Sequence, residues 1–150
     1  MTDEAEAEFI ASLGGLMERW GLPQTTGRLL GYLLLRNEPV DLDTMVKDLG
    51  ASKSGLSVAA RQLEAWFLVR RSSRSGSRRV CYEVVGDIER LLTVNTLQIR
   101  KFSEALRDGA SVAKGPAAER LADLAGLFEA YVRETTRLVE EYQDARRPTA

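Results

Sequence analysis

The residues with the most chemistry to offer lie between Ser52 and Arg79, in the run SKSGLSVAARQLEAWFLVRRSSRSGSRR. Seven cations and the single carboxylate Glu64 give this segment a net charge of +6, in a chain whose total is −1. Lysine, arginine and serine at this density suit contact with phosphate, and an arginine can also address a guanine edge through two parallel hydrogen bonds. Lys53, Ser54, Ser57, Val58 and Arg61 fall on one side of a helix that Ser52 is placed to cap, its hydroxyl accepting from a first-turn N–H. Leu56, Ala60, Leu63 and Phe67 recur at helical spacing on the other side and are expected to face a core. Arg74, Arg78 and Arg79 crowd a Ser/Gly loop, where they could enter or flank the minor groove of a duplex. Solvated helix faces and charged hairpin tips look similar taken singly. The cap, the turn before it and the adjoining arginines together favour nucleic acid.

Composition narrows the alternatives. Histidine is absent and Cys81 is the one cysteine, so an intrachain disulfide and a cysteine-rich zinc site are excluded. Catalysis would have to come from carboxylates, lysines and hydroxyls, and none of these forms a recognisable constellation. No enzyme, cofactor or metal is expected. Cys81 itself reads as a small core hydrophobe, since a lone thiol has no resolving partner. Residues 1–21 carry five anions against one cation, unlike the basic start of a signal peptide, and no apolar run approaches a membrane span of ~18 residues. The expectation is a cytoplasmic protein with no membrane partner.

The candidate residues must be held by the elements around them. Asp3–Trp20 reads as an amphipathic helix with a stripe of Phe9, Leu13, Leu16 and Trp20, broadened by Ile10 and Met17 and closed by Gly21. A second helix, from about Thr25 to Arg36, is apolar nearly all round. Gly27 and Gly31 share one of its faces and would let another backbone come close. Val40 is placed to add a short strand to a later hairpin. Asp41 caps a short helix, Leu42–Leu49, and Gly50-Ala51 turns into Ser52, which is a helix-turn-helix arrangement. Leu68–Arg71 and Arg79–Val85 read as two strands around a Ser72–Ser77 loop, and strand alternation lets at most one of Arg70 and Arg71 point outward. Two long helices follow, hinged at Gly109–Pro116. Their stripes are Ile88, Leu92, Asn95, Ile99, Phe102, Leu106 and Leu121, Leu124, Phe128, Tyr131, Thr135, Leu138, Tyr142. Both are heptad-like. Asn95 either sets register or marks the edge of its stripe, the second being slightly favoured.

The segments Gly21-Leu22-Pro23, Gly27-Arg28 with Gly31, Leu33-Leu34, Pro39, Leu49-Gly50-Ala51-Ser52-Lys53, Ser57, Arg61, Leu63-Glu64 and Val69 resemble the MarR superfamily. Within it they are most similar to the GbsR-type branch. The resemblance covers about residues 20–85, and its most specific part is the Gly-Arg-x-x-Gly pattern at 27–31. It implies a dimeric winged-helix transcriptional regulator with Ser52–Trp66 as recognition helix, Ser72–Arg79 as wing, and control by a small effector. GbsR-type relatives are associated with choline and glycine-betaine metabolism. The chain departs from the pattern at Phe67, where the family usually has glycine.

The expected architecture is therefore mainly α: a winged helix-turn-helix over 22–85, with 1–21 and 86–146 forming a helical dimerisation region. Phe9, Leu13, Leu16, Ile99, Phe102, Phe128, Tyr131 and Leu138 are the expected dimer contacts, and a monomer would leave them as a large apolar surface. Arg28 is divided between a phosphate contact and a carboxylate partner inside the domain. The expected function is sequence-specific binding of a pseudo-palindromic operator by a homodimer, as a repressor. A helical adaptor that binds protein through its heptads is the competing class.

Overall fold

The computed structural model describes residues 3–73, 76 and 78–148. Helix α1 (Glu4–Arg19) starts where the Asp3 carboxylate accepts a hydrogen bond from the Glu6 N–H at 2.8 Å. It ends in a Schellman turn: Gly21 takes φ 83°, its N–H donates to the Glu18 carbonyl, and the Leu22 N–H donates to the Met17 carbonyl. Helix α2 (Gln24–Leu34) stops two residues short of the expected Arg36, and its core face carries Thr26, Leu29, Leu30, Tyr32 and Leu33.

The glycines explain how α1 and α2 meet. A Cβ on Gly27 would stand 2.8 Å from the Gly14 Cα and collide with the Leu13 carbonyl oxygen. One on Gly31 would stand 3.2 Å from the Ile10 Cα. The backbones touch through this seam, as the spacing of the two glycines led one to expect. The rotation of α1 differs from expectation. Ile10, Gly14 and Met17 are buried, whereas Phe9, Leu16 and Trp20 are exposed. Both arcs are apolar, but the arc centred on the small Gly14 permits the closer approach, and tighter packing gains more dispersion contact.

Strand β1 (Val40–Asp41) leads into α3 (Leu42–Leu49), capped by Asp41 accepting from the Thr44 N–H at 2.7 Å and closed by Gly50 at φ 63°. Helix α4 (Lys53–Ala65) follows, then β2 (Val69–Ser73) and β3 (Val80–Val84). The sheet is antiparallel in the order β1-β3-β2, with Val40 opposite Tyr82 and Arg71 opposite Tyr82 from the other side. Short helix, glycine turn, helix and a hairpin completed by a third strand make a winged helix-turn-helix. Its core is Leu29, Tyr32, Met45, Leu56, Leu63 and Leu68, all fully buried. Cys81 is buried among them, as expected of a small hydrophobe.

The chain divides into two compact units after Ile88, with α1 in the first. The second is a hairpin of α5 (Arg90–Val112) and α6 (Pro116–Arg146). The hinge is shorter than expected: α5 continues past Gly109 to Val112, and Gly115 at φ 64° makes the turn. The seam between the helices uses small residues. Thr96 and Ser103 on α5 and Ala125, Val132 and Val139 on α6 are buried. Ser103 and Thr96 are satisfied by donating to carbonyls one turn back, at Arg100, and at Leu92 and Thr93. The expected stripes are rotated away from this seam: Leu92, Phe102, Leu124, Tyr131, Leu138 and Tyr142 are exposed, Leu138 at 58%. Ile99, Leu106, Leu121 and Phe128 are half-buried at its edges. Asn95 is exposed, at the edge of the stripe.

Candidate nucleic-acid interface

Ser52 begins the site. Its extended backbone places the hydroxyl to accept from the Gly55 N–H at 3.1 Å, which starts α4 at Lys53. From there the helix turns Leu56, Ala59, Ala60 and Leu63 into the core. The outward arc is Lys53, Ser54, Val58 and Arg61, all exposed, with Ser57 half-buried beneath them. The predicted face of α4 is thus one continuous surface. Arg61 lies along it, its Nε 3.5 Å from the Ser57 carbonyl.

Three contacts from α2 hold the helix-turn-helix, one reaching α4 and two reaching α3. Thr26, fully buried on α2, donates its hydroxyl proton to the Gln62 Oε1 at 2.5 Å. Arg28 donates from a terminal nitrogen to the Leu49 carbonyl at 2.7 Å. That carbonyl is among those a helix C-terminus leaves without an internal partner, so the cation also meets the negative end of α3. Tyr32 donates to the Asp48 carboxylate at 2.5 Å and clamps α3 onto α2. Burial, then the hydrogen bond to Asp48 and its charge, push the phenol far above its ordinary range. Thr26, Gln62, Tyr32 and Asp48 were not singled out from the sequence. The available signal was the presence of Thr26 and Tyr32 among the leucines of α2, since a buried hydroxyl needs a partner. Arg28 takes a partner inside the domain, a backbone carbonyl rather than a carboxylate.

The exit from α4 overturns one expectation. Phe67 does not face the core; it is 57% exposed and adopts φ 61°. It occupies the position after the helix cap that Gly21 occupies in α1. Its N–H donates to the Glu64 carbonyl, and the Leu68 N–H donates to the Leu63 carbonyl, both at 3.0 Å. This is the same Schellman turn built on a residue that pays about 1–2 kcal/mol for the left-handed conformation. Leu63 and Leu68, both fully buried, supply the hydrophobic contact that holds the turn.

The hairpin overturns another. Arg70 and Arg71 are both exposed, because β2 is an edge strand and its outer end is not covered on either face. Arg70 pairs with Glu83 directly opposite on β3 at 2.6 Å, and Arg71 with Glu64 of α4 at 3.0 Å. Arg78 and Arg79 are exposed just before β3, and Arg79 reaches Asp41 at 3.2 Å. Lys53 lies 3.4 Å from Asp43. The Asp41 carboxyl is held below its usual range by the Thr44 backbone N–H, then by the Thr44 side chain and Arg79. Arg74 falls outside the described residues, as do Ser75 and Ser77.

The expected dimer contacts are distributed over both units. Phe9 and Leu16 of α1 are exposed and Leu13 half-buried; Phe102, Tyr131 and Leu138 are exposed; Ile99 and Phe128 are half-buried. Phe102 and Phe128 meet edge to face at 5.1 Å. Among the described residues there is no helix long and apolar enough to cross a membrane, and no cluster of metal-binding side chains.

No family model matches the chain. It is 32% identical over 98 residues to the HTH-type transcriptional regulator MmpR5 of Mycobacterium tuberculosis, covering 61% of this chain and 59% of that protein. It is 27% identical over 85 residues to the HTH-type transcriptional repressor OpcR of Bacillus subtilis, covering 57% of this chain and 46% of that protein. The chain spans about half the length of the curated relatives it matches. Among solved structures, the crystal structure of a transcriptional regulator superposes with a TM-score of 0.78 at 23% identity, over 93% of this chain and 99% of that one. The fold is shared along nearly the whole length.

Proposed function

We propose that this chain is a DNA-binding transcriptional regulator of the GbsR-type branch of the MarR superfamily, acting in the cytoplasm as a homodimeric repressor. The observation that carries the reading is the exposed Lys53, Ser54, Val58 and Arg61 arc of α4, anchored from below and continued by an arginine-bearing hairpin. A helix presented this way suits the major groove, with the hairpin flanking it. The names of the curated relatives support the same reading. In this reading Ser52, Lys53, Ser54 and Ser57 position the protein on phosphates, while Val58 and Arg61 address base edges. Arg74, Arg78 and Arg79 contact the backbone or minor groove beside them.

The homodimer follows from the apolar arcs left outside both units. Phe9, Leu13 and Leu16, with Ile99, Phe102, Phe128, Tyr131 and Leu138, are its interface, which makes residues 1–21 and 86–146 the dimerisation region and 22–85 the DNA-binding domain. Two recognition helices related by a two-fold then read half-sites about 10–10.5 base pairs apart, or a multiple of that spacing.

Selection of bound duplexes from a random pool with the full chain tests this directly. The expected result is a two-fold-symmetric motif at that spacing. Arg61→Ala is expected to cost about 1–3 kcal/mol and relax preference at one position of each half-site. A pool that returns no motif would overturn the regulator reading in favour of a protein-binding adaptor.

A further inference from the structure

The basic face is not simply basic. Lys53 and Arg79 line a single cleft of about 300 Å³ at the junction of α3, α4 and the base of the hairpin, together with Asp41, Leu42, Asp43, Val80 and Tyr82. Each cation there already has a carboxylate: Asp43 for Lys53 at 3.4 Å and Asp41 for Arg79 at 3.2 Å. Asp43, Lys53 and Arg79 are each more than two-thirds exposed along the side chain, so these pairs add little to folding. Asp41 is needed as the cap of α3. Asp43 makes no cap; it sits in the first turn of α3, where the helix dipole favours an acid, with Lys53 at the start of α4 beside it.

We propose that Asp41 and Asp43 are specificity determinants, which lower affinity for random duplex more than for operator by contesting Lys53 and Arg79 with the phosphates. The inference rests on the regulator reading above. Binding without sequence preference is almost wholly electrostatic and samples many registers, so phosphates pass the carboxylates as often as the cations. A complex locked in one register by base contacts can seat its phosphates on the cation side of the cleft, away from Asp41 and Asp43. The carboxylates therefore tax the sliding complex and largely spare the locked one. A unit charge roughly 6 Å from a phosphate in water is worth about a threefold change in affinity, so two carboxylates together are worth about tenfold.

The test compares the full chain with Asp43→Asn and with Asp41→Asn/Asp43→Asn. Asparagine at 41 keeps an oxygen for the α3 cap, and Asp43→Asn alone leaves the cap untouched. Each protein is titrated with a random 30-base-pair duplex and with the operator recovered by selection, across a salt series. The double variant is expected to bind random duplex about tenfold more tightly and operator less than threefold more tightly. Its salt slope on random duplex is expected to steepen by about 0.9 for each cation released to a phosphate. Equal gains on both duplexes, or none on either, overturn the inference while leaving the regulator reading intact. If the unaltered chain binds neither duplex, the regulator reading itself falls, and this inference falls with it.

Discussion

Gly27→Ala is expected to destabilise the winged unit, although alanine is the better helix former. The gain from propensity is about 1 kcal/mol. Against it, the new Cβ would lie 2.8 Å from both the Gly14 Cα and the Leu13 carbonyl carbon, and closer still to the Leu13 oxygen. All three are backbone atoms of α1, so no side-chain rotation relieves the overlap. The helix itself must move by most of an ångström, carrying the Glu6–Arg36 ion pair with it. Overpacking of this kind costs about 1–3 kcal/mol, and a rigid opponent puts the cost at the upper end. The net loss is then about 2 kcal/mol, or a fall of about 10 °C in Tm for a unit of this size. Gly15→Ala is the control, because nothing lies within 4 Å of its added Cβ. The same propensity term acts there unopposed and should raise Tm by a few degrees. Thermal unfolding followed by circular dichroism, at one fixed protein concentration, decides between the two. A Gly27→Ala chain that melts at or above the unaltered protein would refute the backbone-contact account of α1 and α2.

Three further outcomes follow from the geometry. Tyr32 has its folded-state pKa raised well above the ordinary value near 10, so its contribution is complete below about pH 10 and is lost as pH rises beyond it. Tyr32→Phe should cost about 1–2 kcal/mol at neutral pH by removing the bond to Asp48, and should flatten the alkaline fall in a urea-melt series. Arg78→Ala should reduce the slope of log affinity against log salt by about 0.9, with similar losses on operator and random duplex; an unchanged slope removes Arg78 from the interface. Tyr131→Asp places a charge on the outward arc of α6, where the side chain is exposed in the single chain. It should convert the proposed dimer to monomer in light scattering at micromolar concentration while α6 stays helical. A monomeric mass for the unaltered protein would sink the dimer.

What the sequence determined by itself was whatever a few neighbouring residues decide among themselves. The caps at Asp41 and Ser52 each bond a backbone N–H three residues on, so type and spacing sufficed to place them. The turn at Gly50, the pairing of Val40 into the hairpin sheet and the polar arc of α4 were legible for similar reasons. The tertiary structure decided which part of a wide apolar arc is buried. Helical period gives the arc but not its centre, and the centre fell on small residues: Gly14 in α1, Ser103 in α5, Ala125 in α6. Close backbone approach selects for lack of bulk, which a hydrophobic pattern cannot register. Phe67 was drawn out of its stripe because the turn after α4 needs a left-handed residue there, and the burial of Leu63 and Leu68 on either side enforces it. The pairing of Lys53, Arg70, Arg71 and Arg79 with Asp43, Glu83, Glu64 and Asp41 was likewise invisible in the chain. Those partners stand 7 to 38 residues apart in sequence, and only the packing of α3, α4 and the sheet brings their charges within reach of one another.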